Sequence, residues 1–221
     1  MNTTTNKAWL PEGTVYGTLL NFQREHALWA PRMNEAPYKA PPRAPVLYVK
    51  TANTFTRSGQ AIALPPDAAV EVAASLGLVM DGDGTWGAVL FNDVAIAHPS
   101  YYRPPVKARC ADGFLGVGAV CVPLAQLGGF DGLAALQIEL HINGVHRQTT
   151  ELAGMVRDAA TLLADVGEFM TLRTGDVLML GSDCLDDGSR PLVHAGDTVE
   201  ITAPGFALPT LHSFTHEEVP T

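Results

Sequence analysis

Apolar and polar residues alternate with a period of two along most of this chain, and turn-forming dipeptides cut the alternation into short runs. The clearest run covers residues 70–80, with 71, 73, 75 and 77 on one face. It passes through Asp81-Gly82-Asp83-Gly84 into a second run over 86–93. Asp-Gly steps supply the positive φ angles a tight turn needs, so the pair predicts a β-hairpin. Residues 136–142 and 145–149 flank Asn143-Gly144 and predict a second hairpin on the same grounds. Further strands are expected at 15–21, 46–50, 61–64, 119–123, 176–181 and 197–203, with one or two helical turns at 22–29.

Only residues 151–170 repeat at helical spacing over a long span. Leu152, Met155, Ala159, Leu162, Leu163, Val166, Phe169 and Met170 form the stripe, and Thr150 is the expected N-cap. Pro41, Pro42 and Pro45 make 38–45 an extended connector. The stretch from Pro204 onward reads as a tail lying over the surface. The pattern predicts a β-rich α+β fold: one domain over 14–221, preceded by a disordered or extended tail over 1–13. Its mixed sheet is rolled on itself or folded as a sandwich, and the one long helix closes a side.

Composition narrows the function more than the fold. Of 221 residues, 47% are hydrophobic and 17% charged, enough to bury a real core. A net charge of −9 argues against non-specific nucleic-acid binding, which needs basic surface to displace counterions. No apolar run reaches the length of a membrane-spanning helix, and residues 1–13 lack the apolar centre of a signal peptide. Cys110, Cys121 and Cys184 are an odd set without metal-site spacing. Reduced thiols in a cytoplasmic protein are the expectation.

Candidate chemistry gathers between 91 and 118. Asp93 ends an apolar strand, and Tyr101, Tyr102, Arg103, Lys107, Arg109 and Asp112 follow on a proline-stiffened loop. A carboxylate at a strand end beside a cation-bearing loop is how a scaffold presents polar groups at a rim. Phosphate-binding glycine loops and the G-x-S-x-G elbow are both missing. A hard divalent cation needs acidic ligands from neighbouring strands. Glu71 is the one acidic residue on the partner strand that can join Asp93.

Three blocks carry a resemblance to the fumarylacetoacetate hydrolase family. They are Phe91-Asn92-Asp93-Val94-Ala95, then Ile142-Asn143-Gly144 with Gln148 and the helix to Leu162, then the stretch from Leu172-Arg173-Thr174-Gly175-Asp176 to Gly181. Within the family, the chain is most similar to the first of the two homologous halves of the isomerase/decarboxylases of homoprotocatechuate (4-hydroxyphenylacetate) breakdown. Pro37-Tyr38-Lys39-Ala40-Pro41-Pro42, Tyr101-Tyr102-Arg103-Pro104, Lys107 and Asp112-Gly113-Phe114 support that narrower likeness. The resemblance implies the family's C-terminal-domain fold, a β-sandwich or β-roll. It also implies Mg²⁺ or Mn²⁺ chemistry on 2-oxo and 2-hydroxy-dienoic di- and tricarboxylic acids. In that chemistry an E-x-E pair and an aspartate hold the ion, which stabilises an enolate.

The departures from the family pattern are as informative. The E-x-E positions fall on Ala73 and Ser75, and neither a methyl nor a hydroxyl replaces a carboxylate on Mg²⁺. Asp93 remains, with Glu71 as a degenerate second ligand. Where the family has N-Y-x-x-H, this chain has Asn21, Phe22 and Glu25, with His26 one place late; its G-T-P becomes Gly181, Ser182 and Asp183. The resemblance therefore implies Lys107, Glu25 and His26 as candidate catalytic residues, and Tyr101, Tyr102, Arg103, Arg109 and Ser182 as candidates for substrate binding. The implied assembly is a homodimer or a hetero-oligomer with a homologous subunit whose E-x-E is intact. Two alternatives stand beside this: an acylpyruvate-type C–C hydrolase whose metal site is relocated to Glu71, Asp93 and Glu25, and a non-catalytic structural or binding paralogue; neither nucleic acid nor membrane is an expected partner.

Overall fold

The computed structural model describes residues 9–100 and 106–217. In chain order the elements are β1 (Val15–Leu19), α1 (Gln23–Trp29), β2 (Val46–Lys50), β3 (Phe55–Arg57), β4 (Ala61–Leu64), β5 (Val70–Met80) and β6 (Trp86–Ile96). There follow α2 (Val106–Arg109), β7 (Leu115–Val117), β8 (Val122–Pro123), α3 (Gly129–Gly132), β9 (Gln137–Ile142) and β10 (Val145–Glu151). The chain ends with α4 (Ala159–Gly167), β11 (Val177–Met179), β12 (Leu192–Val193), β13 (Thr198–Thr202) and β14 (Thr210–His216).

Two sheets form. The first runs β2-β1-β11-β5-β6-β7-β3, with β12 on β5 and β8 on β6; the second runs β10-β9-β13-β14-β4. The β5–β6 hairpin is the spine of the first sheet, paired without interruption from Val70↔Ile96 to Met80↔Trp86. Its alternation separates two cores. Val72, Ala74, Leu76 and Leu78 face the second sheet and join Ile138, Leu140 and Ile201. Val79, Val89 and Phe91 face into the curl of the first sheet and meet Val15, Leu115 and Met179. By the same period of two, Ala73, Ser75 and Asp93 belong to that inner face.

Lys50 closes the curl. It ends β2, the first strand of the path, and its Nζ donates to the carbonyl oxygens of Val94 (2.7 Å), Arg109 (2.8 Å) and Phe114 (2.7 Å). A fully buried ammonium thus ties one edge of the sheet to β6 and to the backbone just before β7.

Several expectations need correction. The helix is nine residues, Ala159–Gly167, rather than 151–170. Asp158 caps it, accepting from Thr161 N–H at 2.7 Å. Thr150 instead sits buried within β10. Leu152–Gly154 is a 3₁₀ turn, and Met155 bridges to Phe22. These residues are buried by packing against neighbouring elements, which mimics a longer helical stripe. The segment after Pro204 carries β14, which pairs with both β13 and β4. Of the expected tail, residue 9 is packed: Trp9 N–H donates to Ala119 at 3.1 Å and its ring meets Phe91 edge-on at 6.4 Å. Gly13 bonds Gly175 at 2.9 Å.

Candidate functional site

Asp93 lies on the inner face within β6, which runs on to Ile96 instead of ending at Asp93 as expected, and three residues converge on it. Lys50 Nζ stands 2.8 Å from Oδ1. Arg109 Nη1 donates to Oδ2 at 2.9 Å, and the Tyr48 hydroxyl donates to the same oxygen. Lys50 aims its hydrogen bonds at three carbonyls, so it meets Oδ1 as an ion pair without an aligned hydrogen bond. The Arg109 guanidinium lies 4.4 Å over the Tyr48 ring, and that ring crosses Gly17, where a Cβ would collide with it. Glycine at 17 is therefore what lets Tyr48 reach Asp93.

The electrostatics follow from burial. Burial presses the Asp93 carboxyl upward, but Lys50 and Arg109 outweigh it and hold the group below the ordinary carboxylate value. Burial lowers Lys50, an effect that Asp93 opposes. Burial and the negative charge of Asp93 raise Tyr48 well above a free phenol. Asp93 is thus an anion locked between two cations.

A divalent ion does not fit this donor set. Ala73 pairs directly with Asp93 and contributes a methyl. The Ser75 hydroxyl donates to Gly181 O at 2.8 Å, and the Asp93 oxygens face Lys50, Arg109 and Tyr48. Glu71 pairs with Ala95, two pairs further along the hairpin. Among the described residues no group of three His, Cys, Asp or Glu is placed to hold a metal. A cation entering here would have to displace two resident ones.

Beside Asp93 opens a cavity of about 510 Å³, lined by Glu71, Arg109, Arg190, Arg32, His98 and Ser100 among others. Arg190 lies in the loop before β12; its Nη2 meets Glu25 Oε1 at 2.5 Å and its Nε meets Ser182 Oγ at 3.4 Å. Glu25 projects from α1 and also accepts from Leu20 N–H at 3.2 Å. Burial raises the Glu71 carboxyl, against the pull of Arg190 and Arg109.

The structure brings together Asp93 and Arg109 directly, and Glu25 with Ser182 through Arg190. Lys107 is exposed on α2, two residues from the buried Arg109. His26 is half-buried on α1 and does not line this cavity. Tyr101, Tyr102 and Arg103 lie outside the described residues. Three residues of the site escaped the sequence reading: Tyr48, Lys50 and Arg190. A lysine closing an alternating strand was the one available signal for Lys50.

The profile described as "Fumarylacetoacetate (FAA) hydrolase C-terminal" matches residues 14–211. The chain belongs to the fumarylacetoacetate hydrolase family. It is 32% identical over 206 residues to the 4-hydroxyphenylacetate degradation bifunctional isomerase/decarboxylase of Escherichia coli, covering 88% of this chain and 46% of that protein. The chain thus spans about half the length of these bifunctional relatives. The 2-hydroxyhepta-2,4-diene-1,7-dioate isomerase of Mycobacterium marinum superposes with a TM-score of 0.75 at 20% identity, over 96% of this chain and 77% of the other. The fumarylpyruvate hydrolase of Pseudomonas aeruginosa, solved with Mn²⁺ and pyruvate, gives 0.71 at 18% identity, over 93% and 90%. At such identities the structural likeness establishes the fold: a mostly β domain of curled sheets, as the alternation predicts.

Proposed function

We propose that this chain is the metal-free half of an isomerase/decarboxylase of 4-hydroxyphenylacetate (homoprotocatechuate) catabolism. It acts with a homologous chain whose E-x-E strand is intact. The shared substrate class is the 2-oxo and 2-hydroxy-dienoic di- and tricarboxylic acids. The homologous chain supplies the Mg²⁺ or Mn²⁺ chemistry, and this chain supplies assembly and an acid-binding cavity. The observation that carries the reading is the fate of Asp93: the one family metal carboxylate kept here is held by Lys50 and Arg109. Family membership and the half-length match to the bifunctional relatives support the choice of pathway.

Each chain's contribution can be assayed separately. Purified chain is incubated with 5-oxopent-3-ene-1,2,5-tricarboxylate and Mg²⁺, alone and with the homologous E-x-E chain. Negligible turnover alone, and a rate for the mixture above that of the E-x-E chain by itself, are expected. Full turnover by this chain alone would reject the division of labour.

A further inference from the structure

The cavity beside Asp93 holds two groups whose hydrogen-bonding capacity the fold leaves unused. Arg109 is only 7% exposed, yet its bonds to protein use Nη1 alone. Its Nε and Nη2 donate to no described residue, and neither atom is sealed from the cavity the side chain lines. The second is Glu71, half-buried on the same wall, whose carboxyl makes no hydrogen bond to a described residue. A guanidinium edge held rigid by burial and open to a cavity is a donor pair that a ligand can use. The Nε–Nη2 edge is a planar fork matched to the two oxygens of a carboxylate.

The charges point the same way. Lys50, Arg109 and Asp93 together carry one net positive charge when all three are ionised, at the inner end of the cavity. Arg190 adds a second guanidinium, balanced by Glu25, and Arg32 stacks 5.2 Å over Trp29 at the wall. Ile96, Ala97 and Ala108 provide an apolar flank for a short carbon chain.

We infer that this cavity is a metal-independent receptor for the carboxylate of a small organic acid, which docks on the Nε–Nη2 edge of Arg109 with Glu71 facing the rest of the ligand. The guanidinium does the work that the family assigns to a cation. Glu71 sets selectivity: it accepts from a ligand hydroxyl and repels a second carboxylate. The inference rests on reading the chain as a metal-free half, because it assigns that half its ligand.

The test is calorimetry on the full chain in excess EDTA at pH 8, titrated separately with lactate, propionate and malonate. Millimolar-range binding is expected, with lactate tighter than propionate and malonate weakest. Glu71→Gln removes a carboxylate that makes no hydrogen bond to a described residue, and malonate affinity should rise about tenfold from the lost repulsion. Arg109→Lys keeps a cation for Asp93 but loses the fork, and lactate affinity should fall about tenfold or more. Two results would overturn the inference: no carboxylate binding by folded wild-type and Glu71→Gln chains, or Arg109→Lys binding lactate as well as the wild type. Turnover of the tricarboxylate by the chain alone would reject the half-enzyme reading without touching these titrations.

Discussion

Asp93 and Glu71 sit on adjacent strands of one hairpin, two rungs apart, and have opposite fates. Asp93 is nearly sealed and contacts Lys50, Arg109 and Tyr48. Glu71 is half-buried, borders a cavity and bonds to no described residue. One carboxylate has become part of the scaffold, and the other is available to a ligand. Ala73 and Ser75 bring no carboxylate to Asp93, and Lys50 and Arg109 neutralise it.

The contrast is sharpest in stability. Removing one member of a buried ion pair strands the others, so Asp93→Asn should cost about 3–5 kcal/mol in urea denaturation. A loss under about 1 kcal/mol would mean that Asp93 is not the anchor described. Pairing is what keeps Asp93 charged, and His212 provides the counter-case: a buried group with no charged partner among the described residues. Burial drives its imidazole down to about 4, partly offset by the Thr56 and Arg57 backbone, while in the unfolded chain it titrates at 6.5. A lowered folded value means stability that is whole above pH 6.5 and drains away as the pH falls toward 4. The gap corresponds to about 3 kcal/mol. The fall in stability between pH 7 and pH 4 should shrink in His212→Gln, and an unchanged pH profile would contradict this. Asp93 adds to acid lability only at lower pH, as the pH falls through its depressed value.

Smaller effects probe the supports. Gly17→Ala places a methyl where the Tyr48 ring lies, so it should cost about 1–3 kcal/mol through overpacking and strain. Its near-ultraviolet dichroism should change as Tyr48 moves. Glu71→Gln should change stability by less than about 0.5 kcal/mol, as expected for a side chain without a bonded role. A large loss there would erase the distinction between the two carboxylates.

Much of this was legible in the sequence. The hairpins followed from Asp81-Gly82 and Asn143-Gly144 between alternating runs, and Asn143 and Gly144 both adopt positive φ. That positions 73 and 75 bring no carboxylate to the site was plain from Ala73 and Ser75. The replacement cations did not, because Lys50 and Arg190 come from a strand end and a polar loop remote in sequence, where a charge reads as solvated. β14 was hidden because its buried positions include Thr210 and His212, which carry no apolar signal. The helix was overextended because Leu152 and Met155 are buried by neighbouring elements at spacings that mimic a helical stripe.

Manganese titration of the purified chain, followed by calorimetry or electron paramagnetic resonance, tests the central claim most directly. With Lys50 and Arg109 holding Asp93, no stoichiometric binding is expected at millimolar Mn²⁺, in the wild type or in Asp93→Asn. A one-to-one site in the wild type that Asp93→Asn abolishes would contradict the account.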